Sequence, residues 1–386
     1  MAERQQQPET TAITAGRDTS GALAPALWAS TTWDTTDLDG TNAAAKHLHQ
    51  PGFYSRYGNP TVHSFEQAIA ELEGTSAALA FGSGMGAIAS VVFALCSTGD
   101  HIVAQRNCYG GTLAFLDGPC KRMGIDVTYV DGRNAGEFVA AVKPGKTMLV
   151  MAETPSNPHL DVVDLAALGA IKGPYTMVDS TLATPLGQQP CAYGVSLTMH
   201  SATKGIAGHN DATLGVVAGD VDLINTIWSY AVLHGATASP FDALNGVRGI
   251  RSLGARLRQQ SENTQRLAEW LSTHPAIKRV NYPGLASHPQ HELAKRQMRW
   301  FGSLMSIELC GGIDEARRLL QRLTLVRSAV TLGGPDTLIS HSASSTHISV
   351  DPAVKAATGI NESLLRVSVG LEAFDDVCND FAAALA

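Results

Sequence analysis

The chain has 386 residues, 44% hydrophobic and 16% charged, with a net charge of −7 at pH 7. That length and balance suit a buried enzyme-like protein of roughly two or three domains, and they exclude a disordered chain. The acidic balance argues against a nucleic-acid partner.

The six cysteines form no C-x-x-C pair and read as reduced thiols. The polar opening MAERQQQPETT predicts no secretory signal and hence a cytoplasmic protein.

The first fifty or so residues, rich in Thr, Ala and Asp and weakly periodic, predict an extended arm. A helix begins at Pro60, with Val62, Phe65, Ile69 and Leu72 on one face and Gly74 as its C-cap. Residues 76–97 carry no charge over a membrane-like length. Gly82, Gly84 and Gly86 divide them into a buried strand and a buried helix, not a membrane span.

Short apolar runs then recur at AALAF, HIVA, IDVTYV, TMLVMAE, YTMVDS, VSLTMH and ATLGVVAG. Helix-like or loop segments separate most of them, which predicts βα units and the α/β class, with a mainly parallel seven-stranded sheet. Past SPFDALNGVRGIRSL the pattern changes. A polar helix, ARLRQQSENTQRLAEWLSTH, leads to the strand and turn VNYPGL and the alternating strand LMSIEL. A helix with Ala316, Leu319, Leu320 and Leu323 on one face and the strand LLRVSVGLE follow. These predict a smaller C-terminal α+β domain, with divisions at 1–57, 58–245 and 246–386.

Several motifs are open to more than one reading. GSGMG at 82–86, between a strand and a helix, is either a plain turn or a helix-start anion site. It is no dinucleotide fingerprint, because position 87 is Ala. KPGKT at 143–147 precedes a strand and lacks the first glycine of a P-loop. His288 and His291 have no neighbouring Cys or carboxylate cluster, so no metal is expected. His200 and His209 read as packing or hydrogen-bonding residues.

Asp179, ending a buried strand, is either a turn aspartate or a ligand partner at a sheet's carboxyl end. Arg366, alternating with Leu365 and Val367, is an edge-strand charge or a carboxylate binder. Lys204 lies just past an apolar strand in MHSATKG, flanked by Ser201 and Thr203. A partly desolvated lysine loses affinity for its proton and becomes a usable nucleophile. An amine, hydroxyl donors for a phosphate and a buried acid together match what pyridoxal 5'-phosphate needs.

YSRYGNPT, SGM, ETPSNP, HSATK, SPFD, YPGL and LLRVSVGLE, in this order from residue 54 onward, resemble the Cys/Met-metabolism family of pyridoxal-phosphate enzymes. The family includes cystathionine γ-synthase, cystathionine γ- and β-lyases, methionine γ-lyase and homoserine sulfhydrylases. The resemblance implies a type I pyridoxal-phosphate fold with an N-terminal arm that contacts a neighbouring subunit. It implies that Lys204 carries the cofactor, Asp179 pairs with the ring nitrogen and Tyr109 stacks on the ring and serves the leaving group. Gly84, Met85, Ser201 and Thr203 would hold the phosphate. Tyr54 and Arg56 would reach the phosphate of a neighbouring subunit in a homo-oligomer, expected to be a tetramer. Asn157 and Arg366 would bind the ring-hydroxyl region and the substrate carboxylate, with Val330 and Thr331 beside the substrate.

Some positions depart from the family's subgroups. Gly111 stands where methionine γ-lyases have cysteine, and Ala231 and Val232 stand where they have a Lys-Asp pair. Val330 replaces the glutamate of cystathionine enzymes, which suits an apolar thioether tail. Thr331 replaces a serine, Ser342 a proline and Ser180 an asparagine. The expected activity is α,γ-elimination from a sulfur amino acid of the methionine γ-lyase kind. The alternatives are γ-replacement on an O-acyl-homoserine, or a non-catalytic or nucleotide-binding α/β protein.

Overall fold

The computed structural model describes residues 6–17, 21–35, 37–46, 49, 51–348 and 350–386. The helix Pro60–Glu73 begins where the Asn59 side chain accepts the Thr61 N–H, with Pro60 in the position that needs no N–H. Gly74, at φ +66°, ends it in the left-handed conformation that glycine adopts without steric cost.

Seven strands follow: β1 (Ala77–Phe81), β2 (His101–Gln105), β3 (Asp126–Val130), β4 (Thr147–Glu153), β5 (Tyr175–Asp179), β6 (Leu197–His200) and β7 (Gly215–Gly219). They form one sheet in the order β1-β7-β6-β5-β4-β2-β3. β7 runs antiparallel to β1 and β6, and the remaining pairs are parallel. The apolar runs read from the sequence are these strands, apolar on both faces because helices cover both.

Side-chain alternation assigns the two faces. Leu149, Met151, Met177, Leu197 and Met199 pack against Ile88 and Val91 of the helix Gly84–Leu95. Val150, Ala152 and Val178 point the other way, into a core with Phe138 and Leu165. Continuing the first series to the carboxyl ends puts Glu153, Asp179 and Ser201 beneath the start of that helix.

The second sheet contains β8 (Ile277–Asn281), β9 (Leu304–Leu309), β10 (Arg327–Ser328), β11 (Leu338–His341) and β12 (Leu364–Ser368), in the order β10-β11-β12-β9-β8. β10 and β11 pair parallel and the others antiparallel. Met305, Ile307, Leu365 and Val367 bury one face against Ala316, Leu319 and Phe381.

Two sequence expectations change. The first fifty residues are not extended throughout: the segment Pro8–Thr14 is helical, and Ala12 and Ala15 are buried with Val62, Phe65, Leu253 and Leu257. Small alanine faces dock closely without the strong apolar stripe that would have flagged a core helix. Another helix spans Leu38–Lys46. Residues 1–5, 18–20, 36, 47, 48 and 50 of the expected arm lie outside the described residues.

The polar helix expected from 255 is the second half of a 33-residue helix, Pro240–Ser272, so position 245 falls inside one continuous element. Its glycines act as contact points. A Cβ at Gly246 would lie 2.8 Å from the Phe65 ring, and one at Gly249 would lie 2.4 Å from a backbone oxygen. Among the described residues, no helix is long and apolar enough to cross a membrane.

Candidate active site

A cavity of about 560 Å³ opens where the carboxyl ends of β4, β5 and β6 meet the start of the helix Gly84–Leu95 and loops of the second sheet. Carboxyl ends of parallel strands are where α/β sheets present ligand-binding groups. Gly84, Met85, Tyr109, Asn157, Asp179, Ser201, Thr203, Lys204, Val330 and Arg366 all line this cavity. Thr331 reaches it through its hydroxyl, which accepts a 3.3 Å hydrogen bond from Lys204 Nζ.

One wall is an anion cradle. Ser83 caps the helix by accepting the Gly86 N–H at 3.0 Å, which leaves the first-turn amides of Gly84 and Met85 toward the cavity. Ser201 stands against them. A Cβ at Gly84 would lie 2.8 Å from Ser201 Cβ, so glycine there permits the close approach of turn and helix. Thr203 lines the same wall, but its hydroxyl is already bonded to Leu214, donating to the carbonyl at 3.1 Å and accepting the N–H at 2.8 Å. Its first task is to hold the turn that carries Lys204.

The floor holds two carboxylates. Glu153 and Asp179 end adjacent parallel strands in direct register. Asp179 Oδ1 accepts from Thr181 N at 3.0 Å and Thr181 Oγ1 at 2.5 Å. The same hydroxyl accepts the Ser201 N–H at 2.8 Å, tying the ends of β5 and β6 together. Burial raises the Asp179 pKa, against the lowering effect of the Thr181 bonds. Glu153 is raised well above the usual carboxylate range by burial and then by Asp179 beside it.

Lys204 sits on the turn after β6. Burial, and then the Arg366 guanidinium, lower its pKa and favour the free amine. Arg366 is central in its strand, not an edge charge. It is 2% exposed in β12, and Nη2 donates to the Val330 and Thr331 carbonyls at 3.1 Å each. Burial lowers its pKa to about 10, so it remains a cation at neutral pH. Asn157 is buried, and its Oδ1 has no hydrogen-bond partner among the described residues. Such an atom at a cavity wall calls for a ligand group.

Tyr54 and Arg56 do not line this cavity. Tyr54 is exposed, and Arg56 donates to the Val232 carbonyl at 2.7 Å while lying over the Tyr54 and Tyr57 rings. Sequence reasoning missed Glu153, Thr181, Ser345 and Thr346. Glu153 could have been found from its place in TMLVMAE, which ends at the same level as YTMVD. The others follow only from contacts between loops. His200 lies on the opposite face of β6, where Nε2 meets Glu73 Oε1 at 2.6 Å in full burial. His209 Nδ1 lies 2.7 Å from the Ala207 carbonyl.

Comparisons with known proteins agree with this geometry. The family model described as "Cys/Met metabolism PLP-dependent enzyme" matches residues 9–386. The chain is 41% identical to an O-succinylhomoserine sulfhydrylase of Pseudomonas aeruginosa, over 98% of this chain and 95% of that protein. It is also 41% identical to an L-methionine gamma-lyase of Porphyromonas gingivalis, over 93% and 92%. Among solved structures, cystathionine gamma synthase from Xanthomonas oryzae pv. oryzae in complex with cystathionine superposes with a TM-score of 0.93. That match has 37% identity and covers 99% of this chain and 98% of the other.

Proposed function

The chain belongs to the Cys/Met-metabolism family of pyridoxal-phosphate-dependent enzymes, and on that premise we propose that it is a carbon–sulfur lyase of the methionine γ-lyase kind. The reaction is L-methionine plus water to 2-oxobutyrate, ammonia and methanethiol. One observation carries the choice of substrate. Lys204 and Arg366 are the cations lining the cavity among the described residues. With Lys204 engaged by the cofactor, Arg366 can neutralise one carboxylate, the one every amino acid carries. Val330 and Leu332 flank the remaining space. A short thioether tail fits there better than the second charged end of cystathionine or a succinyl group.

The residues present fit pyridoxal 5'-phosphate. The Gly84 and Met85 amides with Ser201 form a cradle that a Cβ would fill. The buried Asn157 Oδ1 awaits a polar partner, and Asp179 offers a half-buried acid at the floor. In this reading the cradle holds the phosphate, with Thr203 fixing its turn. Asp179 takes the ring nitrogen, Asn157 the ring-hydroxyl edge, Tyr109 the ring face, and Lys204 holds the group through its amine. When bound, the cofactor supplies an electron sink beside the substrate's Cα.

The chain's own groups do the rest. Arg366 orients the substrate carboxylate with a planar guanidinium fork. Lys204, disposed toward the free amine, takes the proton from Cα. The Tyr109 hydroxyl delivers a proton to the departing sulfur. Tyr54 and Arg56, away from their own cavity, are assigned to the phosphate of a neighbouring copy. The working form in this reading is therefore a homo-oligomer.

A second reading rests on Ser345 and Thr346, polar residues that line the cavity wall and suit a polar leaving group. In it, a thiol replaces the acyl group of an O-acyl-homoserine. Purified protein incubated with L-methionine alone should release 2-oxobutyrate and methanethiol. Silence there, with efficient thiol-dependent turnover of O-succinyl-L-homoserine, overturns the lyase reading in favour of the second.

A further inference from the structure

Glu153 is the least expected group in the cavity. Its carboxylate is 5% exposed, borders the cavity and lies beside a second carboxylate. Burying such a group is costly unless its oxygens are satisfied. Here each oxygen takes one backbone N–H from a different loop. Oε2 accepts from Tyr109 N at 2.8 Å, and Oε1 accepts from Asn157 N at 2.6 Å.

Tyr109 begins the turn into the helix Gly110–Phe115, and Asn157 follows β4. Both residues line the cavity, and their loops also meet where Asn107 Nδ2 donates to Asp161 Oδ2 at 3.2 Å. The backbone of Glu153 is itself fixed: its N–H donates to Gln105 Oε1 at 2.9 Å, while Gln105 Nε2 donates to the Asn107 carbonyl at 2.7 Å. The end of β4 is thereby stitched to the loop that leads to Tyr109.

We propose that Glu153 is a positioning residue whose two carboxylate oxygens clamp the Tyr109 turn and the Asn157 turn to the end of β4, setting the distance between the groups assigned to the ring face and the ring edge. The inference rests on the proposed pyridoxal-phosphate site. It adds a residue to which that reading gives no part in the chemistry, acting through two main-chain bonds. A carboxyl group suits the task because both of its oxygens can accept a hydrogen bond. Glutamine, identical in shape, must turn an NH₂ toward one of the two N–H groups and leaves that amide without an acceptor.

The test compares the holoenzyme with Glu153→Gln, with cofactor content, visible circular dichroism of the bound cofactor, kcat and KM measured on both. The substrate is L-methionine, or O-succinyl-L-homoserine with a thiol if methionine is not turned over. Hydrogen exchange at the Tyr109 and Asn157 amides is followed in parallel.

The expected result is unchanged cofactor content and a kcat lower by about 10- to 100-fold, the scale of a small misplacement at a reacting centre. KM should change little, the visible dichroism should alter, and at least one of the two amides should exchange faster. Parental kcat and dichroism overturn the proposal. So does a loss of activity that simply tracks lost cofactor. If Glu153→Gln does not fold, Glu153→Asp replaces it, since its shortened carboxylate withdraws from both amides, and the same outcomes decide. A parental protein with no visible band at all defeats the cofactor reading instead, and is thereby distinguished.

Discussion

The two ends of the cavity are built differently. At the sheet end, Gly84 opens a helix, Asp179 closes β5, and Ser201 and Lys204 follow β6 within four residues. Hydrogen bonds among Thr181, Asp179 and Ser201 lock these positions to the strand ladder. At the other end, Val330, Leu332, Ser345 and Thr346 come from loops around β10 and β11, and Arg366 alone is anchored in a strand. Val330 is 65% exposed, whereas Arg366 is 2% exposed. Groups that must meet a fixed cofactor ride on rigid elements, and groups that meet a variable side chain ride on loops.

The sharpest way to break that comparison is at the sheet end. Lys204→Ala should lower turnover by more than about 10³-fold. It should also abolish the borohydride-reducible adduct and the visible band expected of the parental protein. A parental protein that is colourless, with no such adduct, would favour a non-catalytic α/β protein. Asp179→Ala should keep part of the cofactor yet lose about 10²- to 10³-fold in kcat, as expected for a group that stabilises developing charge. Wild-type turnover in that variant would remove Asp179 from the chemistry.

A loop-end change should behave otherwise. Val330→Glu should reduce kcat/KM for methionine by at least about 10-fold, the scale set by pocket contacts to a substrate side chain. Cofactor affinity, measured by titration of stripped protein, should stay at the parental value. An equal loss of cofactor would erase the distinction between the two ends.

The last expected effect concerns stability. His347 is buried beside Thr346, with Nδ1 2.9 Å from Thr346 Oγ1 and Nε2 3.4 Å from the Cys108 carbonyl. Burial lowers its pKa from 6.5 to about 4. Between those values the unfolded chain binds a proton that the folded chain refuses, so stability falls as pH drops through that window. His347→Gln should flatten the fall by about 1.6 kcal/mol between roughly pH 6.5 and 5. Urea midpoints at the two pH values provide the measurement. His288, lowered to about 4 chiefly by burial, leaves a residual slope.

Legibility in the sequence followed the range of the interaction. The helix from Pro60 to Glu73 was readable because its cap, its first proline, its apolar face and its terminal glycine are local signals. The strands were readable as apolar runs because both faces of the sheet are covered. The helix Pro240–Ser272 was read only in its second half, because Gly246 and Gly249 leave little hydrophobic contrast in the first, and only packing against Phe65 and the Ala207 backbone reveals their use. The helix Pro8–Thr14 escaped for a related reason, since alanine burial leaves little hydrophobic contrast.

The sequence by itself determined that Lys204, Asp179 and the Ser201 turn stand at strand ends, because strand length and alternation are written in consecutive residues. It also supplied the glycine that lets the helix at 84 approach Ser201. Only the tertiary structure decided that Glu153 binds two loops, that Thr203 is occupied by Leu214, and that Tyr54 and Arg56 stand away from the chain's own cavity. The reason is physical. Register between strands and the meeting of loops depend on contacts between residues far apart in the chain, and no local pattern encodes those distances.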